Sequence, residues 1–201
     1  MLILGLDPGT ATTGFGLIYS SIQGNPHLKE GQELNADMSP SLKGKHRSLE
    51  RGRRHQNAKS FDVLDWGLIE TDKSGSKENR LAFIYKATLN LFKKHSPDVM
   101  AMESIFFAAN AKTAIAVGQA QGVMLLAAAK SGVKVVEYVP GSIKKVISGN
   151  GRADKKMMQQ ALRRVLGAKV RSAKHKKTHF DNAADALAVA LTHAIKIKGG
   201  E

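Results

Sequence analysis

Leu2-Ile-Leu-Gly-Leu-Asp-Pro-Gly9 and, four residues on, Thr13-Gly-Phe-Gly-Leu-Ile-Tyr19 are the stretches from which the fold is read. The first is a short continuous apolar run, the pattern of a strand buried on both faces, and Asp7-Pro-Gly9 ends it in a turn. Asp7 therefore stands at the strand's C-terminal end. The second run reads as its hairpin partner, and Phe61-Asp-Val-Leu-Asp-Trp-Gly-Leu-Ile69 as a third strand. Between them, residues 21–60 carry Ile22, Leu28, Leu34, Leu42 and Leu49 as their only branched aliphatics. So little can be buried there that we expect a basic, flexible insertion in a hairpin.

Beyond residue 70 the period changes. Leu81, Ile84, Tyr85, Thr88, Leu89 and Phe92 recur at helical spacing over residues 80–92, ahead of Pro97. Asp98-Val-Met-Ala-Met-Glu103 reads as a buried strand that ends in an acid. Residues 111–130 are Ala-rich and helical, residues 133–138 form a strand closed by Pro140, residues 153–166 form a helix with a strongly basic side, and residues 181–197 a last helix. Three antiparallel-type strands followed by alternating helix and strand predict one α/β sheet in a single domain over residues 1–201.

Composition narrows the function. The 201 residues hold 31 Lys+Arg against 17 Asp+Glu, a formal net charge of +14 that favours a polyanionic partner, most simply nucleic acid. Twelve Lys/Arg between Lys144 and Lys177 face Asp154 alone, a local net of +11, and seven between Lys43 and Lys59 face Glu50 alone, a local net of +6. The absence of Cys excludes disulfides, thiolate zinc sites and cysteine nucleophiles. The longest interior apolar stretch, Gly122 to Ala129, is far short of the ~20 residues of a membrane helix, and residues 1–6 lack the basic leader of a secretory signal. The expectation is a soluble, cytoplasmic protein with no membrane partner.

Asp7 and Glu103 each end a central strand, and Asp185 lies in the first turns of the last helix, with Asp181 and Asn182 one turn before it on the same face. A buried carboxylate has to be paired or bound to a cation. Parallel neighbours ending at one sheet edge would bring Asp7 and Glu103 together, and a helix returning to that edge would add Asp185 with Asp181 or Asn182. Carboxyl oxygens converging without Cys or a His cluster suit a hard cation, Mg²⁺ or Mn²⁺. Two such ions ~4 Å apart would stabilise both the attacking and the leaving oxygen of a phosphodiester cleavage.

With these residues in view, the sequence resembles the RuvC Holliday-junction resolvases of the RNase H-like superfamily. The resemblance rests on Leu4-Gly-Leu-Asp-Pro-Gly-Thr10 with Thr13-Gly-Phe-Gly16, Met102-Glu-Ser-Ile-Phe-Phe107 with Asn110-Ala111, Gly118-Gln-Ala-Gln-Gly122, Pro140 to Lys155, and Ala184-Asp-Ala-Leu-Ala-Val-Ala-Leu-Thr-His193. It implies an RNase H-like fold, a mixed five-stranded sheet with helices on both faces. It further implies a homodimeric Mg²⁺-dependent endonuclease, with two ions per active site, that cuts four-way junction DNA symmetrically, and it suggests partnership with a RuvA–RuvB branch-migration complex. The family's catalytic acids fall on Asp7, Glu103 and Asp185. Its remaining acid falls on Asn182, a departure from the pattern, and Asp181 is our choice for that role, with the Asn182 amide oxygen as the alternative. Lys144 and Lys155 match basic positions near the scissile DNA, with Arg152 and Lys156 beside them. Phe106, or its neighbour Phe107, matches an aromatic placed against junction bases. The helix carrying Gln119 and Gln121 resembles the family's dimerisation helix, where Ala114, Ala116, Gly118 and Ala120 would permit close packing.

Gly5-Leu-Asp-Pro-Gly-Thr10 also resembles the phosphate hairpin of actin-like ATPases, but 201 residues cannot supply the two domains such a fold needs. Two nearer alternatives keep the fold: a nuclease acting on other branched DNA or RNA, and a non-catalytic junction binder, which Asn182 in place of an acid invites.

Overall fold

The computed structural model describes residues 1–21, 61–105, 111–167 and 177–199. The insertion expected over residues 21–60 therefore lies, from residue 22 on, outside the described residues. Strands β1 (Leu2–Asp7), β2 (Thr12–Ser20), β3 (Phe61–Glu70), β4 (Val99–Glu103) and β5 (Lys134–Tyr138) form one sheet of order β3-β2-β1-β4-β5. β1 pairs antiparallel with β2, and β2 with β3, whereas β1–β4 and β4–β5 are parallel. Helices α1 (Lys77–His95) and α2 (Ala111–Ser131) cover one face, and α3 (Pro140–Ser148), α4 (Lys155–Leu166) and α5 (Lys177–Gly199) the other.

Because side chains alternate along a strand, parity assigns each residue to a face. Leu4 and Leu6 of β1 and Met100 and Met102 of β4 join Ile84, Leu91 and Phe92 of α1 and Met124 of α2 in one buried cluster. Ile3, Val99 and Ala101, the intervening residues, join Leu162 of α4 and Ala184, Leu187 and Ala190 of α5 in the other. Asp7 and Glu103 share the parity of that second set, so both belong to the face α5 covers. A bulge between Leu17 and Ile18 of β2 opposes Val63 and Asp65 of β3, leaving Leu64 as the extra residue, 57% exposed. It lets Phe61 and Val63 before it and Trp66 after it pack against the same cluster.

The elements follow from local chemistry. α4 buries Met158, Leu162 and Leu166, four residues apart, and turns Lys155, Lys156, Arg163 and Arg164 to solvent. Between Ala183 and Ala194 α5 is buried nearly all round, since the sheet lies on one side and α3 and α4 on the other.

Three expectations need correction. Pro140 does not merely close β5: it opens α3 at a first-turn position, where a missing N–H is no loss, and the preceding Val139 is extended, as a residue before proline prefers. α5 starts at Lys177 rather than Asp181, so Asp185 stands in its third turn instead of near a helix end. Ala120 and Gln121 face the sheet: Ala120 is fully buried, and the Gln121 amide donates to Glu137 Oε1 at 2.8 Å and to Met102 Sδ at 3.2 Å. The outward stripe of α2 is instead Ile115, Gly122 and Leu126, with Ile115 59% exposed. Among the described residues no helix is long and apolar enough to cross a membrane.

Candidate active site

The parallel register sets Leu6 beside Met102, so Asp7 and Glu103, the next residue of each strand, leave the sheet side by side. The segment after Asp7 is braced. Thr13 Oγ1 donates to the Gly9 carbonyl at 2.8 Å and accepts from the Gly9 N–H at 3.3 Å. Thr71 Oγ1 donates to the Thr10 carbonyl at 2.7 Å while Arg80 Nε donates to Thr71 Oγ1 at 3.0 Å, tying that loop to β3's end and to α1. At the far end of β1, Asp98 Oδ2 accepts from the Leu2 N–H at 2.6 Å. The strand that presents Asp7 is held at both ends.

α5 approaches the sheet where it has no side chains. Gly5 pairs with Gly16 across β1 and β2. A Cβ on Gly5 would run into the backbone oxygen of Ala186, and one on Gly16 would meet Leu187 Cδ2 at 2.6 Å. Small residues allow this close packing, and it delivers Asp185, the residue before Ala186, to the strand-end carboxylates.

The acids respond to one another. Burial first, then Asp185, then Glu103 push the Asp7 carboxyl up to about 7, and Lys155 opposes them. Glu103 is raised by burial and by Asp185, against Lys144. This is the signature of like charges gathered in a partly desolvated place. Glu103 and Asp185 also line a cleft of about 280 Å³ with Lys144 of α3, Asp154 and Lys155 at the start of α4, and the apolar Ile143 and Met158. The acids stand within electrostatic reach rather than in one tight cage: among the described residues no three His, Cys, Asp or Glu form a group able to share a metal ion.

Of the residues singled out in the sequence, Asp7, Glu103, Asp185, Lys144 and Lys155 thus come together. Arg152, in the turn before α4, and Lys156, in its first turn, are exposed and do not line the cleft. Phe106 and Phe107 lie outside the described residues, and so do the side chains of Asp181 and Asn182, which are placed on α5 by its backbone alone. Sequence reasoning missed Asp154. Its Oδ1 accepts from the Met157 N–H at 2.8 Å and caps α4, which points Lys155 over the cleft; an Asp just ahead of a helical pattern was the available signal.

A mixed sheet of order β3-β2-β1-β4-β5, helices on both faces and strand-end acids under the last helix define an RNase H-like α/β protein. The chain belongs to the RuvC family, crossover junction endodeoxyribonuclease, whose model matches residues 52–193. It is 38% identical over 194 residues to the crossover junction endodeoxyribonuclease RuvC of Moorella thermoacetica, covering 96% of this chain and 91% of that protein. With the RuvC of Caldicellulosiruptor saccharolyticus it shares 33% over 195 residues, 97% of this chain and 93% of the other. The structure of Thermus thermophilus RuvC in complex with Holliday junction substrate superposes with a TM-score of 0.71 at 26% identity, covering 100% of this chain and 96% of that one.

Proposed function

We infer that this chain is a structure-specific DNA endonuclease that resolves Holliday junctions in recombination and repair by paired symmetric nicks, with Asp7, Glu103 and Asp185 as its catalytic acids. The observation that carries the site is the meeting of two strand-end carboxylates and one helix carboxylate beneath two lysines, in a member of this family. Their oxygens are hard donors, and the raised Asp7 pKa marks a place where positive charge is favoured, so the residues fit a divalent cation in donor chemistry. Asp7, Glu103 and Asp185, with Asp181 or Asn182 as a further donor, would hold Mg²⁺ or Mn²⁺, which when bound would lower the pKa of a water and offset charge on the leaving oxygen.

The remaining work falls to the chain itself. Lys144 and Lys155 draw the scissile phosphate to the cleft and offset the negative charge that develops there. Arg152 and Lys156 extend the basic rim along the DNA backbone, where each phosphate contact makes affinity more salt-dependent. Phe106 or Phe107 stacks on a junction base, worth roughly 1–3 kcal/mol. A homodimer closed over the outward stripe of α2, Ile115 and Leu126, presents two identical sites to a substrate with two-fold symmetry. The whole chain works as one nuclease domain, with residues 21–60 as a basic elaboration of it, in the cytoplasm.

The test is cleavage of a synthetic mobile four-way junction in Mg²⁺, beside flap and RNA–DNA hybrid controls. The expected result is symmetric, ligatable nicks in the junction alone, lost in Asp181→Asn if Asp181 completes the site. Tight junction binding without cleavage, with cutting gained by Asn182→Asp, would overturn the enzyme reading in favour of a junction binder.

A further inference from the structure

Beneath the carboxylates a second polar pair joins the sheet to the same helix. Tyr138 ends β5 in register with Glu103, and its carbonyl accepts from the Ser104 N–H at 2.9 Å. Register and parity give its ring the face α5 covers. There Tyr138 Oη is hydrogen-bonded to His193 Nδ1 at 2.7 Å, with ring centroids 6.0 Å apart and planes inclined at 47°. His193 is 8% exposed, and burial, helped by Lys134, lowers its pKa and keeps the imidazole neutral. Burial raises Tyr138.

α5 meets the strands through Ala186 and Ala190 at the bare backbone of Gly5 and through Leu187 at Gly16, contacts that are apolar apart from the helix backbone. Apolar burial has no direction and opposes sliding along the helix axis only weakly, whereas a hydrogen bond at this distance is directional. His193 lies eight residues, about 12 Å along the helix, from Asp185. A displacement of α5 of well under 1 Å moves Asp185 by the same amount, and reacting groups tolerate little such error.

We propose that the Tyr138–His193 hydrogen bond is the pin that fixes α5 along its axis and so sets Asp185 against Asp7 and Glu103. Both residues are positioning residues: they act on the site through helix and strand and do not touch the reacting atoms. The proposal rests on the reading of Asp185 as a cation-holding acid.

The experiment measures Mn²⁺ affinity of the DNA-free protein by calorimetry, together with single-turnover junction cleavage, junction affinity in EDTA and Tm. The proteins compared are wild type, Tyr138→Phe, His193→Ala, His193→Asn and Asp185→Asn. Tyr138→Phe and His193→Ala should weaken Mn²⁺ binding about 5- to 10-fold and slow cleavage by a similar factor, with junction affinity in EDTA within two-fold of wild type. His193→Asn returns a polar atom near the Nδ1 position and should recover both quantities to within about two-fold. It decides the matter by itself if Tyr138→Phe does not fold. Changes confined to Tm, with Mn²⁺ affinity and cleavage untouched, would reduce the pair to a structural tie and overturn the proposal. So would a His193→Asn protein that behaves like His193→Ala. If Asp185→Asn binds Mn²⁺ as wild type does, the carboxylate reading itself has failed; if it loses the ion and Tyr138→Phe does not, only the pin has failed.

Discussion

The two faces of the sheet are built from different materials. Toward α1 and α2 the strands present Leu4, Leu6, Leu17, Met100 and Met102, large side chains that interlock with Ile84, Phe92 and Met124. Toward α5 they also present Ile3, Ile18 and Val99, but across β1 and β2 Gly5 and Gly16 leave the backbone bare beneath Ala186, Leu187 and Ala190. The first face gains stability from volume. The second buries side chains too, but at Gly5 and Gly16 it lets α5 come close, which brings a helix carboxylate to two strand-end carboxylates, where burial first and then Asp185 and Glu103 raise the Asp7 pKa. The acids are thereby confined to one side of strands that are packed on both, a difference that substitutions can break or sharpen.

The sharpest test is Asp7→Asn. Junction cleavage should fall by about 10³-fold or more, the scale at which a metal-binding or charge-stabilising group contributes. Junction binding should persist, and the cation-free protein should become more stable because a buried charge has been removed. Next comes Gly5→Ala, whose new methyl meets the Ala186 backbone oxygen. It should destabilise by about 1–3 kcal/mol or more, as overpacking does, and slow cleavage per folded molecule because α5 is pushed away from the acids. Met100→Leu, on the opposite face and volume-conserving, should change stability by less than about 1.5 kcal/mol and leave cleavage alone; a fall in its rate would show that the two faces are not separable.

The pH dependence has a defined sign. Asp7 binds its proton more tightly in the folded chain, at about 7, than an ordinary aspartate does at 3.8. The stability this contributes is complete below about 3.8 and is lost as pH rises through about 7. At roughly 1.4 kcal/mol per unit it amounts to an upper bound of about 4 kcal/mol. Glu103 shifts in the same direction. Without divalent cation, Tm should therefore fall between pH 5 and 8, and Asp7→Asn should flatten that fall. A Tm that climbs over the same range would contradict the gathering of these acids. The smallest effects belong to the rim: Lys144→Ala and Lys155→Ala should each reduce the slope of log affinity against log salt by about one, and a slope unchanged in both would place the phosphates elsewhere.

Much of this architecture was legible in the sequence, for physical reasons that differ by element. A continuous apolar run reads as a central strand, so Asp7 and Glu103 could be placed at strand ends, and the five strands lie within about a residue of where the pattern put them. The basic side of α4 follows from Met158, Leu162 and Leu166 at helical spacing. α3 was hidden because proline ends helices as often as it begins them, and only the backbone shows which. The bulge at Leu64 leaves apolar residues on both sides of it in an order that either register satisfies. Nothing in spacing links Tyr138 to His193, 55 residues apart; such a contact exists only once the fold has brought α5 within reach of the end of β5. The fourth donor stayed undecided, since Asp181 and Asn182 share a helix face and their side chains lie outside the described residues.

The bulge carries one more consequence, for solubility. Among the described residues β3 and β5 are the outermost strands, and an outermost strand offers unpaired backbone groups to any other chain that comes near. β5 is five residues long and begins with Lys134. β3 is twice that length, and at its middle the extra residue Leu64 breaks the even pleat while Asp65 holds Lys94 at 2.8 Å beside it. A kinked, charged edge is a poor template for further strands. Deleting Leu64 should straighten β3 into a flatter edge and raise aggregation at high protein concentration, read by light scattering against the unaltered chain.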